Sequence, residues 1–151
     1  MLLGRNAPLV FDIGLRSTHV EHVWDFYKPD LHSEYPEVDG PLSNQCYTRA
    51  VDICYNRYME KLNAKLGAPQ TLDALDYVVF HCPYSKLVQK SFGRLQYNDF
   101  KKDPTNEKYG QASGLDAVSL QDSYTSKEIE KTFMALTKND FAKKVSFIFG
   151  Y

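Results

Sequence analysis

No two cysteines in this chain are spaced for a zinc knuckle. The three present, Cys46, Cys54 and Cys82, form no C-x-x-C pair. An odd, scattered set also makes a poor disulfide framework and fits a reducing, intracellular setting. An excess of one charge is missing too. Eighteen basic against 19 acidic residues leave a formal net charge of -1, without the basic surplus that a nucleic-acid surface needs. No apolar run approaches the roughly 18 residues that cross a bilayer, so no membrane partner is expected. The opening MLLGRNAPLVF has neither a basic n-region nor a long h-region and does not read as a signal peptide. The G-x-G-x-x-G, P-loop, G-x-S-x-G and H-E-x-x-H patterns are all absent, which removes the usual local signatures of dinucleotide, nucleotide, acyl-serine and zinc chemistry.

What is present is a packed α/β chain. At 151 residues, 43% hydrophobic and 25% charged, it suits one ordinary domain. APLVFD (7–12) reads as a short strand or the tail of one. Residues 17–41 hold Pro29, Pro36, Pro41 and Gly40 among many aromatics, and read as a long irregular connection of the kind that often carries function. The spacing of Tyr47, Ala50, Val51, Cys54, Tyr58, Leu62 and Leu66 predicts a helix over 43–67, with Ser43 as N-cap and Gly67 closing it. LDYVVF (75–80) reads as a strand buried on both faces. A helix from about Pro83 to Phe100 follows, with Leu87, Val88, Phe92 and Leu95 as its apolar stripe. Residues 101–123 read as a polar surface insertion. Residues 125–144 read as a helix opened by a capping box of Thr125 and Glu128, with Ile129, Phe133 and Leu136 inward. VSFIFGY ends the chain as a strand-like run. Strand–helix–strand order argues α/β. With so few strands and apolar termini, two readings stand: a small domain with ordinary ends, or a piece of a larger α/β enzyme. Missing sheet neighbours favour the piece.

The candidate site lies where the second strand meets its helix. Strand alternation sends His81 and Cys82 to opposite faces, which argues against a Cys–His catalytic pair. In open α/β sheets ligands bind beyond the carboxyl ends of strands, which is where His81 falls, and an imidazole there can hydrogen-bond a substrate carbonyl. Lys86 and Lys90 share one helix face in first turns that disfavour cations by about 0.3–1 kcal/mol each. An anionic ligand, such as a phosphorylated one, would remove that conflict. The plainer reading is a backbone-bonded histidine beside solvated lysines. His19 and His22 flank Glu21 without an evident third metal ligand. Cys46 and Cys54, on one helix face, read as small hydrophobes rather than nucleophiles.

At FHCPYSKLVQKSFGRLQYNDF (80–100) the chain resembles the eukaryotic hydroxymethylglutaryl-CoA synthases. The likeness continues through NAPLVFDIGLRSTH (6–19), DFYKPDLHSEYPEVDGPLSNQCY (25–47) and SGLDAVSLQDSY (113–124), and covers nearly all of the chain. It implies an incomplete thiolase-like αβαβα layered fold: the end of a first half, a connection over 17–42 and the start of a second half over 43–151. It implies a homodimer in the intact family and condensation of acetyl-CoA with acetoacetyl-CoA to hydroxymethylglutaryl-CoA and CoA. These thioesters are substrates, and no cofactor is implied.

By motif match, His81 resembles the histidine that polarises the acetoacetyl group. Lys86 and Lys90 resemble lysines contacting CoA, Ser43 a residue of the CoA channel, and His19 and Asp25 positions near the active site. The family's nucleophilic cysteine and general-base glutamate lie upstream, in motifs this chain lacks. Its glycine- and asparagine-rich downstream loop is missing as well, and VSFIFGY fits the family pattern poorly. The expectation is a central segment of such an enzyme, inactive by itself. The alternative is a truncated paralogue that binds CoA or pairs with a full-length subunit. A cytoplasmic location is expected, with a mitochondrial isoform the alternative.

Overall fold

A computed structural model describes residues 4–109 and 127–148. Their elements in chain order are β1 (Phe26–Tyr27), β2 (Glu37–Val38), α1 (Gly40–Leu66), β3 (Val78–His81), α2 (Ser85–Lys102), α3 (Lys127–Leu136), α4 (Lys138–Lys144) and β4 (Val145–Ile148), with short 3-10 turns at Ile13–Leu15, Leu72–Ala74 and Glu107–Tyr109. Four short strands in two pairs, set among longer helices, make an α/β unit with little sheet. β1 and β2 pair antiparallel, and β3 and β4 pair parallel with Val78 opposite Val145. A parallel pair requires a crossover connection; here α2, α3 and α4 lie between the two strands.

α1 starts three residues before the predicted boundary. Asp39, not Ser43, is the N-cap: its carboxylate accepts the Leu42 N–H at 3.0 Å. Pro41 fits the first turn, where its missing N–H would have no helical partner anyway, so Ser43 lies inside the helix. At the other end Gly67 adopts φ +71° and its N–H donates to the Asn63 carbonyl, a left-handed closure that glycine accepts without strain.

α1 and α2 run parallel, since their contacts advance together along both chains: Asn44 to Tyr84, Asp52 to Arg94, Tyr55 to Asp99. Tyr55, Met59 and Leu62 of α1 meet Phe92 and Leu95 of α2, with Leu72, Val78 and Phe80 closing the cluster. A second cluster joins Tyr97 and Phe100 to Tyr109 and Phe133.

From Ser91 to Phe100 every residue of α2 is buried, polar ones included. Most of the polar ones are matched, the exception among the described residues being the Gln96 amide nitrogen. Arg94 Nε reaches both oxygens of Asp52 at 3.1 Å, Asn98 donates to Asp52 at 2.8 Å, and Asn56 donates to Asn98 at 2.9 Å. Asp99 accepts the Tyr55 hydroxyl at 2.8 Å and the Leu72 N–H at 2.8 Å. Burying such groups unpaired would cost several kcal/mol on the order of 1–3 each. Gly93 lets α3 approach closely: a β-carbon there would stand 3.3 Å from the Met134 backbone nitrogen.

Several expectations need correction. Leu9, Val10 and Phe11 join no strand among the described residues and are 80–88% exposed. β3 is not buried on both faces: Val78 and Phe80 turn inward, while Val79 is 53% exposed and His81 is exposed. Its apolar run covers a core on one side only. The 125–144 helix breaks at Thr137 into α3 and α4. Phe133 is buried and Leu136 packs on the second cluster; Thr125 and the side chains of Glu128 and Ile129 lie outside the described residues. The 101–123 insertion contributes a buried Tyr109, and its remainder from 110 lies outside the described residues as well.

Candidate functional site

Alternation along β3 decides where His81 goes. With Val78 and Phe80 committed to the core, His81 follows Val79 onto the open face, at the carboxyl end of the strand. Three residues later the chain turns into α2. Tyr84 holds the N-cap position in extended geometry, makes no side-chain cap bond, and the first turn contains no acidic residue. Lys86 is exposed and Lys90 half-buried, while Leu87 and Val88 between them are sealed into the interior. The helix is therefore anchored by its apolar stripe and presents its first cations outward. His81 is not sealed among aliphatic neighbours.

α1 reaches the start of α2 through Asn44, the neighbour of Ser43. The Tyr84 hydroxyl donates to Asn44 Oδ1 at 3.0 Å, and Asn44 Nδ2 donates to the Gly40 carbonyl at 3.0 Å. Ser43, next to Asn44, is half-buried, and its N–H donates to Asp39. One turn along, Tyr47 lies by Ser91 and Cys82. Burial pushes its phenol above the ordinary value, against a hydrogen bond with Ser91 that pulls it down. Cys82 is half-buried while His81 is exposed.

The other side of α1 receives His19 and Asp25. Residues 12–21 run antiparallel along the helix, strapped to its exposed polar face. Lys65 pairs with Asp12, Lys61 donates to the Arg16 carbonyl, Arg57 to that of Thr18 at 2.6 Å, and Ser17 to that of Cys54 at 2.9 Å. His19 contacts Glu21 at 3.4 Å, and Glu21 pairs with Arg49 at 2.9 Å. Cys46 sits among these groups. Burial pushes its thiol up, the Asp25 and Glu21 carboxylates add to that, and Arg49 opposes it. A thiol so placed is a poor nucleophile, because thiolate formation needs stabilising positive charge. No group of three potential metal ligands occurs among the described residues.

Two regions adjoin the first turns of α1: the β3–α2 turn, tied to Asn44 through Tyr84, and the 12–25 segment, whose Glu21 and Asp25 act on Cys46. Sequence reasoning missed Tyr84 and Asn44, which link the corner to α1. Their only sequence trace is a polar tip on an aromatic at a helix start and an amide beside Ser43, and neither has a distinctive spacing. A groove of about 590 Å³ between the 10–17 segment and Tyr58 contains none of these residues. No described helix is long and apolar enough to cross a membrane.

Comparison with known proteins gives a consistent picture. The family model for "Hydroxymethylglutaryl-coenzyme A synthase C terminal" matches residues 9–149. Hydroxymethylglutaryl-CoA synthase A of Dictyostelium discoideum is 51% identical over 97% of this chain and 30% of its own length. The mitochondrial synthase of Bos taurus is 49% identical over 95% of this chain and 30% of its own length, and the cytoplasmic synthase of Mus musculus 48% over 95% and 29%. A solved structure of MvaS in complex with 3-hydroxy-3-methylglutaryl coenzyme A superposes with a TM-score of 0.60 at 24% identity, covering 89% of this chain and 29% of that one. This likeness gives the fold, an incomplete α/β unit of the thiolase-like type. The chain spans about 30% of the length of the curated relatives it matches. It belongs to the hydroxymethylglutaryl-coenzyme A synthase C-terminal family.

Proposed function

We propose that this chain supplies the rim that holds a CoA thioester in a hydroxymethylglutaryl-CoA synthase. His81 is the hydrogen-bonding group at the acetoacetyl carbonyl, Lys86 and Lys90 take the CoA phosphates, Ser43 lines the CoA channel, and His19 and Asp25 line the active site. The whole enzyme condenses acetyl-CoA with acetoacetyl-CoA, releasing hydroxymethylglutaryl-CoA and CoA, and works as a homodimer without a cofactor. In that frame residues 1–16 close a first thiolase-like half, 17–42 connect, and 43–151 begin the second. We assign it to the cytoplasm.

The observation that carries the reading is the α2 start. An exposed imidazole ends β3, and Lys86 and Lys90 follow in the first two turns of a helix whose first turn contains no acidic residue. A helix start and nearby cations together suit an anion. Condensation also needs an activated nucleophile, and Cys46, with its raised thiol, does not supply one. The isolated chain therefore binds CoA and forms no product. Calorimetry should show saturable CoA binding that Lys86→Ala with Lys90→Ala weakens at least tenfold, and incubation with both thioesters should yield no hydroxymethylglutaryl-CoA. Absence of CoA binding would defeat the rim, and stoichiometric acetyl-enzyme would defeat the inactivity.

A second reading, a non-catalytic paralogue pairing with a full-length subunit, draws on Leu9, Val10, Phe11 and Ile13, an apolar run 78–88% exposed. Co-purification with a full-length synthase, lost on Val10→Asp with Phe11→Asp, would favour it.

A further inference from the structure

We propose that Tyr84 and Asn44 are a positioning pair that fixes the distance between the His81–Lys86–Lys90 corner and the Ser43 turn, so that one CoA molecule can touch both. The inference rests on the CoA-thioester reading above. Tyr84 stands between His81 and Lys86 in the chain and is the N-cap residue of α2, yet its side chain does not cap that helix. Its hydroxyl crosses to α1 and donates to Asn44 Oδ1 at 3.0 Å. Asn44 is held in turn, because its amide nitrogen donates to the Gly40 carbonyl at 3.0 Å, within the same α1 turn that carries Ser43.

Further along, α1 and α2 are locked by the buried Asp52–Arg94–Asn98 network. That lock lies two turns or more from Ser43 and Lys86. At the open end the two elements are joined by this exposed bond and by the Tyr47 contacts to Ser91 and Cys82. Asn44 is exposed and Tyr84 is 45% exposed. The pair therefore contributes little to the core, and its loss should leave the fold intact. A CoA bound across a loosened corner must first order it, and that cost lowers affinity.

The test is a double-mutant cycle on the 151-residue chain: Tyr84→Phe, Asn44→Leu and both together. CoA affinity is measured by calorimetry, and the backbone amide of Ser43 and the imidazole of His81 are followed by NMR. Each single variant should weaken CoA about three- to tenfold, the size of one modest hydrogen bond, with an unchanged thermal midpoint. The double variant should be no weaker than Asn44→Leu alone, because the bond that Tyr84→Phe removes is already broken in it. At saturating CoA, His81 should still respond while the Ser43 amide response shrinks. Unchanged affinity in Tyr84→Phe, or additive losses, would overturn the pair and leave the rim standing. A loss above about a hundredfold would make Tyr84 a direct ligand group instead of a positioning one. A wild-type chain that takes no CoA would remove the rim itself, and the pair's role with it.

Discussion

The two ends of α2 are built on opposite plans. From Ser91 to Phe100 the helix is enclosed on every side, and its arginine, asparagine and aspartate are each matched to a partner on α1 or on the turn before β3. Before Ser91 it opens to solvent without a side-chain cap, lacks an acid in its first turn, and carries Lys86 against the helix dipole. One end is over-determined and the other keeps a local conflict. A rigid scaffold holding a frustrated end is the usual construction of a binding site, and the contrast is what makes the lysines informative.

Disrupting the enclosed end should have the largest effect. Arg94→Ala leaves Asp52 buried without its cation, and urea unfolding should register a loss of about 3–5 kcal/mol. Gly93→Val should cost about 1–3 kcal/mol by forcing α2 away from the Met134 backbone, and Gly93→Ala less. The open end should behave oppositely. Lys86→Ala should leave stability unchanged or raise it by up to about 0.5 kcal/mol, because a cation leaves the helix N-terminus, while CoA affinity falls. A matching stability loss at both ends would erase the distinction.

A subtler test uses pH. Burial pushes the Asp99 carboxyl above its ordinary value of 3.8, while the Leu72 N–H and the Tyr55 hydroxyl pull it down. An acid whose pKa is raised by folding contributes stability that is fully present below its unfolded value and is lost as pH rises through the folded one. The wild type should therefore gain on Asp99→Asn as pH is lowered from neutral toward the ordinary carboxyl value of 3.8, in paired urea titrations. A difference between the two proteins that is independent of pH would show that the carboxylate is not desolvated.

Much of this contrast was legible beforehand. The apolar positions Leu87, Val88, Phe92 and Leu95 were readable because burial on one helix face repeats every three to four residues, and all four are buried. Gly67 was readable because left-handed closure has one favoured residue. The His81 corner was visible as a conflict between charge and dipole. Asp39 was passed over as N-cap in favour of Ser43, since the periodic residues begin later than the helix does. The one-sided burial of β3 could not be read from its sequence, because Val79 looks like Val78 until the neighbours are known. The buried Asp52–Arg94–Asn98–Asn56 network was invisible for a related reason. Charged and amide side chains at helical spacing normally signal a solvated face, and only the fold brings these four together.

The central claim is that His81, Lys86 and Lys90 face one bound CoA thioester. The most direct measurement follows the His81 imidazole by NMR while acetoacetyl-CoA is titrated into the chain. A saturable shift of that ring is expected, abolished in Lys86→Ala with Lys90→Ala. Saturable binding of the thioester with the His81 signals unmoved would contradict it.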